Sequence, residues 1–160
     1  MASTVSKTTF TSKITETISI NKHHQQLETT LSIPNVTDYS HRIMSVATGT
    51  SSIILLGPSD NAGTFDKEKF KYLRITNLDD TNFITLKLSR GADAQCYFVK
   101  VKPGESYVLM CPEIAAAVEE GASPALGNIG KISAKPDTAS VYVEYLVVTK
   151  GGTATGEGGE

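Results

Sequence analysis

Three histidines, two cysteines and a few acid-rich turns are the residues through which this chain could do chemistry. His23 and His24 are adjacent, and neighbours on a strand point to opposite faces. They do not converge as a zinc site requires, since zinc wants three or four convergent ligands. His41 stands outside any acidic motif, and all three histidines read as solvated surface. Asn77, Asp79, Asp80 and Asn82 could offer oxygens to calcium, but they lack the alternating, glycine-centred pattern of a calcium loop. They read as a turn whose side chains bond the backbone. Asp60, Asn61, Gly63 and Asp66 read the same way.

The nucleophile and phosphate motifs are near misses. Gly104-Glu105-Ser106-Tyr107-Val108 opens like a nucleophile elbow but lacks its last Gly, and it follows a Pro-Gly turn. Gly127-Asn128-Ile129-Gly130-Lys131 has the outline of a phosphate loop with the wrong glycine spacing, and Ile132 stands where Ser or Thr is required. Asn35-Val36-Thr37 fits the glycosylation pattern and reads as chance without a secretion signal. No nucleophile is paired with a base, and no pair of carboxylates is marked out. The expectation is a protein that is not an enzyme, with no catalytic, cofactor-binding or metal residues.

The elements that must carry these residues are strands. The 160 residues fit one domain. A chain this long buries roughly 68–70% of its unfolded surface, so it folds without metal or disulfides. Net charge is -2, which gives no electrostatic footprint for nucleic acid. The one basic cluster, Lys67, Lys69, Lys71 and Arg74, is interrupted by Asp66 and Glu68 and reads as a solvated strand edge. The first ten residues hold no apolar signal core, and no run approaches the ~20 apolar residues that span a bilayer. Two cysteines are too few for a disulfide scaffold, so we expect assembly in a reducing cytosol.

Period two dominates the pattern. From Thr9 to Ile20, Phe10, Ile14, Ile18 and Ile20 fall on one side, and Thr and Ser coat the other. That predicts a half-buried strand. Arg42–Ala47, Ser52–Leu56, Lys71–Thr76, Phe83–Leu88, Ala94–Val101, Glu105–Met110, Lys131–Ala134 and Val141–Val148 follow. Val141–Val148 is apolar on both faces and reads as a central strand. Turn signals every 8–12 residues suit a sandwich or barrel.

We therefore expect an all-β, single-domain antiparallel β-sandwich or barrel, jelly-roll-like, of about nine strands. At most one short helix is expected near 112–120, where Pro112 opens an Ala run that Gly121 stops. The expected divisions are a flexible N-terminal arm at 1–8, the sandwich at 9–150 and a Gly-rich tail at 151–160.

Pro103-Gly104 predicts a type II turn over Lys102–Glu105. Symmetric pairing about it sets Cys96 opposite Cys111, both expected reduced, and puts Tyr97, Val99, Val101, Val108 and Met110 on one core face. Tyr39, Tyr97, Tyr107, Tyr142 and Tyr145 read as core or interface residues.

Three segments resemble small virion proteins of tailed phages, especially marine and cyanobacterial short-tailed ones. They are Tyr72-Leu73-Arg74-Ile75-Thr76-Asn77-Leu78-Asp79-Asp80-Thr81-Asn82-Phe83, Val101–Leu109 and Asp137–Glu144, within a match over roughly Ser40–Thr149. The resemblance implies a capsid decoration (cement) protein that bridges shell subunits, or else a neck, tail or head-fibre component. It implies partnership with the major capsid protein or other virion proteins, a homo-oligomer (a trimer), and no nucleic acid or membrane partner. The implied location is the capsid surface, after assembly in the host cytoplasm. A carbohydrate-binding attachment module is the alternative class, and the absence of Trp argues against it.

Overall fold

A computed structural model describes residues 6–57, 63–90, 96–110, 113–114 and 127–151. The strands are β1 (Thr8–Ile20), β2 (His23–Val46), β3 (Ser51–Gly57), β4 (Phe65–Asp66), β5 (Phe70–Asn77) and β6 (Ile84–Ser89). After them come β7 (Cys96–Val101), β8 (Ser106–Leu109), β9 (Glu113–Ile114), β10 (Gly127–Asn128), β11 (Lys131–Pro136) and β12 (Val141–Lys150). The chain is all-β, with no helix among the described residues. Glu113–Ile114, inside the stretch expected to be helical, pairs with Gly127–Asn128 as strand; residues 115–126 lie outside the described residues.

Two five-stranded sheets make the body, in the orders β1-β2-β12-β5-β8 and β4-β3-β11-β6-β7. Without the outermost β1 and β4, the pairs β2·β12, β3·β11, β5·β8 and β6·β7 run from the ends of the chain inward. This is one long antiparallel double ribbon rolled into a sandwich, the order of a jelly roll.

Alternation fills the space between the sheets. Val141, Val143, Tyr145 and Val147 of β12 meet Ile84, Leu86 and Leu88 of β6 and Ile132 of β11 in the main core. Each fully buried aliphatic side chain there contributes about 1.5–3 kcal/mol relative to exposure. β12 lies between β2 and β5, the central position expected for its two-sided pattern.

The Pro103-Gly104 turn forms as expected: Gly104 has φ +71° and Glu105 N–H donates to Lys102 O at 3.1 Å. The strands it joins do not form a hairpin. β7 pairs with β6 in one sheet, and β8 pairs with β5 in the other. A type II turn splays its flanking strands, so this link crosses from sheet to sheet. The inward residues are therefore Tyr97, Val99 and Val101 from β7, but Tyr107 and Leu109 from β8. Val108 and Met110 lie on the opposite face of β8, which corrects the expected core face. Cys96 aligns with Ser89 and is a free thiol; Cys111 lies outside the described residues.

Asn77 ties this corner. It is fully buried, and its amide donates to Asn82 O at 2.8 Å and Val101 O at 3.3 Å. Its backbone N–H donates to Glu105 O, and its carbonyl accepts from Gly104 N–H. Two of the links that cross between sheets, β5 to β6 and β7 to β8, are thus joined through one side chain. Of the basic segment, Arg74 lies where β8 pairs with β5 and so is not at a sheet edge; Lys71 precedes that pairing, and Lys67 and Lys69 lie in the turn between β4 and β5.

Candidate functional site

The expected half-buried strand is two-faced, but most of it is not buried. β1 and the first half of β2 form a ribbon closed by Asn21-Lys22, with φ of +50° and +69°. Positive φ at both central residues is what a two-residue type I′ hairpin requires. Direct cross-strand pairs share a face. Phe10↔Ile33, Ser12↔Leu31, Ile14↔Thr29, Glu16↔Leu27, Ile18↔Gln25 and Ile20↔His23 make one side. Thr11↔Ser32, Lys13↔Thr30, Thr15↔Glu28, Thr17↔Gln26 and Ser19↔His24 make the other, hydroxyl-rich side. Lys13 and Glu28 form an ion pair there at 2.8 Å.

The base of the apolar side is covered. Sheet β1-β2-β12-β5-β8 curls at irregular pairings, between Thr8 and Phe10, where Asn35 has φ +61°, and between Thr149 and Lys150. Bulges of this kind bend a strand and raise its twist. The curl brings Phe10, Leu31 and Ile33 onto Tyr72 and Val148, a second apolar cluster on the outer side of this sheet. Beyond Ser12 no described residue covers the apolar side of the ribbon: Ile14, Ile18, Ile20 and Leu27 are 37, 51, 59 and 55% exposed.

The concave outer face of the same sheet is also open. Tyr39, Ile43 and Tyr142 are 69, 57 and 61% exposed on it. An apolar hollow of about 280 Å³ opens there between Phe10, Val36, Tyr39, Leu146 and Val148. A polar ladder crosses the middle of this face, with Glu144 accepting from His41 Nε2 at 2.5 Å and Arg74 at 3.1 Å. The bond from His41 first, then the charges of Arg74 and His41, hold the Glu144 carboxyl below the usual carboxylate range; burial opposes them and is second only to the His41 bond.

The other candidate residues fall elsewhere. His23 and His24 sit at the ribbon tip on opposite faces, far in sequence from His41. Asp79 accepts from the N–H groups of Asn82 and Thr81, and those bonds lower its pKa. Asn77, Asp79 and Asn82 are therefore the backbone-bonding turn the sequence indicated. Asp66 takes the Glu68 N–H, while Asp60 and Asn61 lie outside the described residues. A second cleft of about 350 Å³ lies toward the inner side, lined in part by Asp38, Ser40, Arg42, Thr64 and Tyr145. Among the described residues no three His, Cys, Asp or Glu side chains converge as a metal site.

The open ribbon and face were only half legible beforehand. The alternation from Phe10 to Ile20 was visible, but its partner strand His23–Ile33 offers little apolar periodicity. Comparison with protein-family models, curated proteins and solved structures returns no match.

Proposed function

We propose that this protein is a non-enzymatic structural component of a phage particle, a decoration (cement) protein that bridges capsid subunits at the outer surface of the shell. The observation that carries the reading is the ribbon, built in register yet left with an apolar side that no other described residue covers. A two-stranded ribbon alone is marginally stable in water, and an apolar patch with polar surroundings marks a contact surface. Such an element suits a protein whose working state is an assembly. The jelly-roll order adds support by analogy only, since this architecture builds viral capsid domains but also lectin domains and cupins. The segment resemblances around Tyr72–Phe83 and Val101–Leu109 point the same way.

The mechanism is mass action: a protein that binds only the assembled shell stabilises it against separation. The major capsid protein is the proposed partner, and the capsid surface the proposed location. Quantitative mass spectrometry of purified particles, scaled to the major shell protein, tests this. One copy per shell subunit, or one per few, is expected. A small fixed number per particle would move the protein to the neck or tail, and absence from particles would end the virion reading.

A further inference from the structure

We infer that the free half of the ribbon, residues 13–30, docks on the concave outer face of sheet β1-β2-β12-β5-β8 of a second copy of this chain. The docking covers Tyr39, Ile43 and Tyr142 of that copy with Ile14, Ile18 and Leu27 of the first.

Continuity is the first argument. Within one chain the base of the same ribbon already packs on this face, through Phe10, Leu31 and Ile33 on Tyr72 and Val148. The uncovered part of the ribbon and the uncovered part of the face extend that contact on either side, with the same chemistry. Length is the second. Lys13 to Ile20 spans about 24 Å at roughly 3.4 Å per residue, enough to cross five strands spaced about 4.8 Å apart.

Charge selects between two ways of pairing copies. Glu16 sits in the middle of the apolar side, opposite Leu27, and forms no ion pair among the described residues. Ribbon packed on ribbon would offer that carboxylate, besides apolar side chains, Ser12, Thr29, Gln25 and His23 of the other copy but no Lys or Arg, and an unpaired carboxylate is costly to bury. The outer face instead offers Arg74 and His41 in its central row. Arg74 gives Glu144 one bond from NH2, and a guanidinium has five N–H donors.

Ribbon on face is a head-to-tail contact, so each copy gives one ribbon and receives another, and the contacts close as a ring when the rotation allows. The inference rests on the reading that the chain works in an assembly, but its test needs no particle.

The full chain, with Cys96→Ser and Cys111→Ser, is made with a single new cysteine: Ile18→Cys, Ile43→Cys or Tyr142→Cys. Mixed in pairs and oxidised, Ile18→Cys is expected to link to at least one of the two face variants, and not to itself. In sedimentation, Ile18→Glu is expected to weaken self-association at least about tenfold. Measured at a concentration where both proteins are monomeric, its thermal midpoint should be unchanged, because Ile18 lies outside both cores. Three results would overturn the inference: a wild-type monomer at every concentration, Ile18→Cys linking to itself, or self-association indifferent to Ile18→Glu. None of them touches the particle reading, which stands or falls on the copy number.

Discussion

The rings of Phe10 and Tyr72 lie 4.9 Å apart although their strands, β1 and β5, are separated by β2 and β12 in one sheet. A flat sheet would hold them about 14 Å apart at 4.8 Å per strand. The contact therefore measures the curl, and it fixes where the ribbon leaves the sandwich. Phe10→Ala is expected to cost about 2–3 kcal/mol, below the range for a fully buried Phe. Urea unfolding gives the loss, and hydrogen exchange should show the ribbon amides losing protection first. Tyr72→Phe removes only a 3.4 Å contact from the Ser12 hydroxyl and should cost under about 1 kcal/mol.

Asn77→Ala should be among the most damaging single changes. It strips the carbonyls of Asn82 and Val101 of a buried donor. A loss of about 2–4 kcal/mol is expected, from unsatisfied buried groups and the space left behind. Equilibrium denaturation measures it. A loss below about 1 kcal/mol would show that the corner does not depend on this side chain.

This corner shows how far the sequence could be read. The type II turn at Pro103-Gly104 was legible because φ preference is local. Its consequence was not, because whether two strands pair or part depends on partners elsewhere in the chain, such as β5 for β8, 30–36 residues earlier. Asn77 was legible as a turn residue but not as a buried staple between sheets. The ribbon failed for a different reason. Periodicity reports burial, and His23–Glu28 is exposed on both faces, so no pattern marked the strand. Pro34 inside the same strand is a further signal against it.

Glu144 makes stability on the acid side pH-dependent. Its pKa is lowered from an ordinary value of 4.5 in the folded state, so its contribution is complete above that pH. The contribution fades as pH falls below 4.5 toward the folded value. Glu144→Gln should flatten the fall in thermal midpoint over that range while leaving the alkaline side alone. An unchanged acid limb would contradict the ladder with His41 and Arg74.

On the alkaline side the relevant pair is Tyr97 and Tyr107, whose hydroxyls meet at 2.5 Å between the two sheets. Burial, then the bond to Tyr97, pushes the Tyr107 phenol well above its ordinary value of 10.0. The neutral form is favoured in the folded state, so this stabilisation is full below pH 10 and is lost as pH rises beyond it. Ultraviolet titration should show at least one of the six tyrosines refusing to ionise until the protein unfolds. Tyr107→Phe should remove that late step and cost about 1 kcal/mol at neutral pH.

The central claim is that the ribbon joins this protein to its assembly. The direct test replaces residues 13–30 by a two-residue Asn-Gly turn and compares occupancy of purified particles with that of the full chain. The account predicts a folded sandwich with an unchanged main core and a large loss of occupancy. Equal occupancy by the shortened chain would contradict it.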